Sequence, residues 1–266
     1  MYSHDNPELA ETYDRLSDSQ YQAGTKLVGR LALKPGDRVL DVGCGTGRLA
    51  EWIFGCVGVD GAVVGIDPLA ERIAIARKRS PHIRFEVAQA ENLSLFGDES
   101  FDALCLSAVF HWVQDKPKAL DEIARVLRKG ARMGITTLPS ELQRAGTLVK
   151  VCGQVIRRAS YRERLDFDPY ASGHTGPTVT ETIQMLTASG LELLELHVVQ
   201  TPQLHESGRE VIDHVESSSF GNFLSRVPPE LRETFQADLA KAFDELKGPT
   251  GILVQKYGTM IIAARP

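Results

Sequence analysis

The sequence predicts an α/β fold built on a doubly wound, mostly parallel sheet, and three observations carry that reading. Short apolar runs alternate with amphipathic helical stretches from Arg38 to Thr137. The first run ends in a glycine-rich turn that opens directly into a helix. The alternation then breaks twice and resumes in two further apolar runs, which adds a helical cap made from insertions to the strand–helix core.

In chain order, the polar N-terminal segment reads as a helix outside the core. Arg38 to Val42 is the first strand, and Arg48 to Phe54 the helix after the glycines. Ala62 to Ile66 is the second strand, and Leu69 to Arg79 places Leu69, Ile73 and Ala76 on one helical face. Strands follow at Ile83 to Ala88, Phe101 to Ser107 and Arg132 to Thr137, with an amphipathic helix over Lys118 to Arg128 closed by Gly130. Glu141 to Ala159 reads as one helix, Glu181 to Ala188 as another, and Leu191 to Val199 as a strand. Helices near Arg209 to Glu216 and Pro229 to Leu246 precede the closing strand Thr259 to Ala264. The expected layout is a single domain over 1–266. Its core is at about 35–138, 188–200 and 256–266, and its cap at about 1–30, 139–187 and 201–255.

Composition narrows the function. The 266 residues are 42% hydrophobic and 24% charged, an ordinary globular balance. The formal net charge of −5 supplies no positive field to hold a polyanion, so nucleic acid is not an expected partner. No apolar run is long enough for a membrane span, and the polar N-terminus is unlike a secretory leader, so the expectation is a cytoplasmic protein. Cys44, Cys56, Cys105 and Cys152 are scattered and signal neither disulfides nor a metal site. No oligomeric state follows from the sequence.

The chemistry concentrates in Val39-Leu40-Asp41-Val42-Gly43-Cys44-Gly45-Thr46-Gly47. Glycines at alternate positions let the backbone turn sharply and approach a ligand at the start of the next helix. A dinucleotide site would use G-x-G-x-x-G to seat a pyrophosphate, whereas the spacing here is G-x-G-x-G. Asp67 closes the second strand, where a carboxylate can accept from both hydroxyls of a ribose or cap the helix that begins near Leu69.

Val39 to Gly47 together with Val64-Gly65-Ile66-Asp67 resembles the class I S-adenosylmethionine-dependent methyltransferases, in particular the branch that includes quinone-biosynthesis and trans-aconitate enzymes. The resemblance implies a seven-stranded Rossmann-like sheet with an antiparallel last strand. It also implies S-adenosylmethionine as cofactor, S-adenosylhomocysteine as product and a small-molecule substrate. Gly43 and Gly45 would approach the methionine part, with Cys44 and Gly47 also in the cofactor site, Asp41 would orient its ammonium group, and Asp67 would hold the ribose, with Pro68 and Leu69 on the adenine. At the end of the third strand, Ala88-Gln89-Ala90-Glu91 stands where the family has Gly-Asp-Ala-Glu, so Gln89 or Glu91 would accept from the adenine amine beside Ala90. Ser107 and the following Phe110-His111-Trp112 would line the methyl group, and Tyr13 lies in a segment similar to the family's lid helix.

His111 is the candidate catalytic residue, as a base, as a group that orients the substrate, or as part of the wall. Trp112, Tyr161, Tyr170 and Arg157 are candidate substrate contacts, the arginine within a run with Arg158, Arg162 and Arg164 that reads equally as a solvated face. Other readings are a protein or RNA methyltransferase, against which stands Ser107-Ala108-Val109-Phe110 in place of an Asn-Pro-Pro-Tyr tetrad, and a relative that binds the cofactor without catalysis. A short-chain dehydrogenase would need a Tyr-x-x-x-Lys pair, and no tyrosine here has a lysine four residues on.

Overall fold

The computed structural model describes residues 6–143, 145–165, 176–219, 223–224 and 227–266. Two helices, α1 (Pro7–Leu16) and α2 (Asp18–Val28), come first. The alternating region runs β1 (Arg38–Val42), α3 (Arg48–Val57), β2 (Ala62–Asp67), α4 (Ala70–Arg79), β3 (Arg84–Val87), β4 (Phe101–Ser107), α5 (Lys116–Val126) and β5 (Leu127–Thr137). It gives way to α6 (Ser140–Gln143), α7 (Thr147–Ile156) and α8 (Ala159–Arg162). Then come α9 (Val179–Ala188), β6 (Glu192–His205), α10 (Gly208–Ser218), α11 (Pro229–Asp244) and β7 (Ile252–Ala264).

The seven strands form one sheet in the order β3-β2-β1-β4-β5-β7-β6. The pairs β1–β2, β1–β4, β2–β3 and β4–β5 are parallel, and β7 joins β5 antiparallel, as the sequence predicts. Apolar runs are what such strands need, because both faces are covered. On one face Leu40, Ile66, Leu104 and Leu106 pack with Leu120 and Ile123 of α5 and Leu186 of α9. On the other, Val39, Cys105 and Ile262 pack with Leu27 and Val28 of α2, Ile53 of α3 and Ile73 of α4. Each such fully buried side chain contributes about 1.5–3 kcal/mol of transfer free energy.

Several boundaries differ from expectation for local reasons. The helix placed at Lys118–Arg128 starts at Lys116, because the Asp115 side chain caps it by accepting from Lys118 N at 3.1 Å. It ends before Gly130, which sits inside β5 at φ 77° and donates its N–H to Arg265 O. The single helix expected over Glu141–Ala159 breaks where Gly146 adopts an extended conformation as the N-cap of α7. Both β6 and β7 run longer than their apolar segments, to His205 and back to Ile252.

The chain divides into two units. The sheet unit comprises the described residues of Gln20–Pro139, Gly176–Val199 and Thr259–Pro266, and the helical unit those of Met1–Ser19, Ser140–Thr175 and Gln200–Gly258. Most of α2 and all of α9, placed in the cap by sequence, belong to the sheet unit, because Leu27, Val28 and Leu186 are core residues of the sheet faces. The helical unit has its own core, in which Val155 of α7, Val211 of α10, Phe235 and Phe243 of α11, and Ile252 and Val254 of β7 meet.

Candidate active site

The site is built at the carboxyl ends of the parallel strands, where β1 runs into the glycine turn. Gly43, Gly45 and Gly47 have φ of 72°, 54° and 82°, a region that side chains with a Cβ avoid. Gly47 is also the N-cap of α3. Backbone donors of this turn are committed internally: Gly43 N and Cys44 N both donate to Ile66 O (2.7 and 2.9 Å), and Gly47 N donates to Cys44 O. Gly45 N donates to Asp67 Oδ2 at 3.0 Å. Arg79, from the last turn of α4, holds the turn from outside by donating to Thr46 O at 2.9 Å. A nest of free N–H groups, which a pyrophosphate needs, is therefore not what Gly43, Cys44, Gly45 and Gly47 offer.

The turn offers negative charge instead. Asp41 is 1% exposed, and its Oδ2 has no hydrogen-bond partner among the described residues. Its Oδ1 accepts from Cys105 Sγ at 3.4 Å. Burial pushes the Asp41 carboxyl up to about 7; the Cys105 hydrogen bond works against this, and the nearby Asp67 charge adds to it. The Cys44 and Cys105 thiols beside it are raised by burial and then by the Asp41 charge, so neither is a nucleophile. Because the folded carboxyl lies above its ordinary value, its contribution to stability is complete below about pH 4 and is lost as the pH rises through 7. We expect wild type to lose about 4 kcal/mol relative to Asp41→Asn across that window. Urea unfolding of both proteins at pH 4 and pH 8 measures this, and parallel pH profiles would show that Asp41 is solvated.

Asp67 ends β2 with 6% exposure, and both of its oxygens are in use. Besides Gly45 N at Oδ2, it accepts Leu69 N at Oδ1 (2.9 Å), so one carboxylate ties the glycine turn to the start of α4. Pro68 between them is half-buried. After β3, Gln89 is exposed and Ala90 buried. Glu91 is partly committed, because its Oε1 accepts from Gln114 N at 2.8 Å and anchors the segment before α5. Of the two candidates for the adenine contact, Gln89 alone keeps its side chain exposed. Arg125 of α5 fastens the same loop through Leu93 O and Phe96 O.

At the end of β4, Ser107 Oγ lies 3.5 Å from Thr136 Oγ1 of β5. The next residue, Ala108, has φ 58°, a strained conformation that its N–H bond to Thr136 Oγ1 (2.8 Å) helps to hold. The kink seats Val109 on the glycine turn, so that a Cβ added to Gly43 would stand 2.2 Å from Val109 Cγ2. His111 is 7% exposed with Nδ1 3.3 Å from Thr137 Oγ1, and its ring centroid is 5.3 Å from that of the half-buried Trp112. On α2, Gly24 permits close approach: a Cβ there would meet Leu49 and lie 3.0 Å from Ser107 Oγ. The Arg48 guanidinium stacks over Tyr21 of the same helix at 4.8 Å. Ala108, Val109, Gly24 and Thr136 were not singled out by sequence, and only the glycine carried a signal there.

The remaining candidates lie in the helical unit. Tyr13 is half-buried on α1. Tyr161 is corrected from a substrate wall to a core residue: it is 1% exposed, packs edge-on to Phe235 at 5.1 Å, and donates its hydroxyl to Asp238 at 2.8 Å. Burial and the Asp238 bond push its phenol up to about 12. Arg157 is exposed at the end of α7, and Arg158 and Arg164 stand 3.8 and 3.9 Å from Asp238 and Glu230, an arrangement of surface pairs. Tyr170 lies outside the described residues. Among the described residues no group of three or more His, Cys, Asp or Glu gathers to hold a metal, and no helix is long and apolar enough to cross a membrane.

Comparison with known proteins agrees with this geometry. Residues 40–135 match a family described as a methyltransferase domain. An uncharacterized methyltransferase of Mycobacterium bovis is 35% identical over 147 residues, 55% of this chain and 55% of that protein. The 2-phytyl-1,4-naphtoquinone methyltransferase of Synechococcus elongatus is 35% identical over 138 residues, 48% of this chain and 59% of that one. The chain thus spans little more than half the length of these curated relatives. The fold is shared with the YcgJ protein of Bacillus subtilis, with a TM-score of 0.62 at 19% identity, covering 92% of this chain and 98% of that structure. Residues 40–135 are thus similar to a methyltransferase domain, and the strand order is that of a fold shared with the solved structure.

Proposed function

We propose that the chain is an S-adenosylmethionine-dependent methyltransferase that transfers a methyl group in line to a nucleophile on a small molecule. The observation that carries this reading is the pairing of the orphaned Asp41 Oδ2 with a turn in which the N–H groups of Gly43, Cys44, Gly45 and Gly47 are all spent. Such a site repels phosphate and suits a cationic ligand, and the cofactor brings both an ammonium and a sulfonium. When bound, it supplies an electrophilic methyl group on a good leaving group.

The residues present fit that ligand. Asp41 would accept from its ammonium and, on doing so, become fully ionised. Asp67, which accepts from Gly45 and Leu69, would also accept from the ribose hydroxyls. Gln89 would accept from the adenine amine, with Pro68 and Ala90 against the ring. The chain's part in the reaction is then alignment and exclusion of water, worth up to about 7–11 kcal/mol when the reacting atoms are held in near-attack geometry. Activity of a relative on a naphthoquinone supports a small organic acceptor.

Calorimetry of S-adenosylmethionine binding tests the reading. Affinity should rise up to about tenfold per pH unit between pH 5 and 7, as the Asp41 carboxyl ionises, and lose that slope in Asp41→Asn. No binding at any pH would overturn the function. His111, set beside Thr137 through Nδ1, is the proposed base that would take the acceptor's proton. His111→Gln should cost about 100-fold in kcat and remove the acid limb of the pH–rate profile. A raised KM with unchanged kcat would make it an orienting group instead.

A further inference from the structure

A second cluster of polar groups lies wholly inside the helical unit, and the methyl-transfer reading leaves it unused. Ile252 and Val254 of β7 are buried in that unit's core, and Lys256 follows on the same alternate positions of the strand. Two histidines feel its charge: His205 at the end of β6, 6% exposed, and His214 of α10, 2% exposed, with ring centroids 5.3 Å apart. The amide of Gln203, also 6% exposed, donates toward His214 Nε2 at 3.3 Å and to Ser19 Oγ. That donor fixes the His214 ring in its neutral form. Burial first, and then the charge of Lys256, push it down to about 2.

The cluster is short of negative charge. Lys256 has no carboxylate within ion-pair distance among the described residues, and loss of hydration pushes its ammonium down to about 8. Among the described residues His205 Nδ1 has no hydrogen-bond partner. The carboxylate that faces it, Glu210, stays 3.9 Å away and has its other oxygen committed to Glu206 N at 2.7 Å. A partly buried cation without a counter-ion is costly, and a buried unfilled donor adds to the cost. Both are relieved by one ligand with two acceptor atoms and a single negative charge.

We propose that Lys256, His205 and Gln203 form a binding site for the carboxylate of a small organic acid. Lys256 supplies the counter-charge and neutral His205 donates from Nδ1 to the second oxygen, while Gln203 holds His214 out of the way as a neutral wall. A single cation balances a monoanion, whereas a phosphate dianion would leave excess negative charge beside Glu210.

NMR titration of the full chain with benzoate, in the absence of any methyl donor, tests the site independently of the proposed reaction. Saturable shifts of the His205 and Lys256 resonances are expected, with benzamide, the neutral isostere, inert. Lys256→Met should weaken benzoate about ten- to hundred-fold, the loss of one charge-assisted bond. Without ligand, Lys256→Met should melt no lower than wild type, since it removes an uncompensated charge. His205→Phe keeps the ring volume and should weaken benzoate several-fold. Absence of saturable benzoate binding, equal binding of benzamide, or wild-type affinity in Lys256→Met would each overturn the proposal. Tighter binding of inorganic phosphate than of benzoate would overturn the assignment to a carboxylate.

Discussion

Asp67→Ala is expected to weaken S-adenosylmethionine binding by about 2–4 kcal/mol, the loss of a charged acceptor for two hydroxyls. The structure adds a second expectation. Because Asp67 also accepts from Gly45 N and Leu69 N, its removal leaves a buried N–H in the glycine turn without a partner. That costs about 1–3 kcal/mol of stability even without ligand. The two losses separate with Asp67→Asn, whose amide oxygen retains one of the internal bonds. It should recover part of the stability and little of the affinity, since the negative charge is gone. Calorimetry on the folded variants, beside urea unfolding of each, measures both quantities. Wild-type affinity in a folded Asp67→Ala protein would make this carboxylate a structural brace and remove it from the site.

The parts of the fold that were legible in sequence are those where one physical demand dominates. Strands β1 to β5 lie in a sheet covered on both faces, so Leu40, Ile66 and Leu104 had to be apolar, and the runs stand out. The glycine turn was legible because few residues other than glycine tolerate φ near 70° at three alternate positions. What stayed hidden depends on partners distant in sequence. The anchoring of Gln114 by Glu91 is invisible in sequence, and Tyr161 looks like a wall until Phe235 and Asp238 are seen around it. An alanine held at φ 58° leaves no mark in sequence, so Ala108 was unreadable. The far end of β6 was hidden for a different reason. There the buried positions are Gln203 and His205, polar residues of the second cluster that break the apolar signal of a strand.

Replacing Gly43 by alanine is expected to cost about 2–5 kcal/mol of stability, the sum of two separable effects. Its φ of 72° puts alanine in the left-handed region, worth about 1–2 kcal/mol. The new Cβ would also fall 2.2 Å from Val109 Cγ2 and 2.7 Å from Cγ1, so Val109 must leave its place on the turn, an overpacking cost of about 1–3 kcal/mol. Only the second effect depends on Val109. In a Val109→Ala background the same glycine substitution should therefore cost about 1–3 kcal/mol less, and the four proteins of the cycle can be compared by urea unfolding. Strictly additive losses would mean that Val109 does not rest on Gly43. The same contact ties stability to function. Val109 is carried by the strained Ala108, whose N–H is held by Thr136, and His111 follows two residues later, held by Thr137. Displacing Val109 moves the segment that carries the proposed base, so Gly43→Ala should lower kcat as well as cofactor affinity, and Val109→Ala should restore part of both.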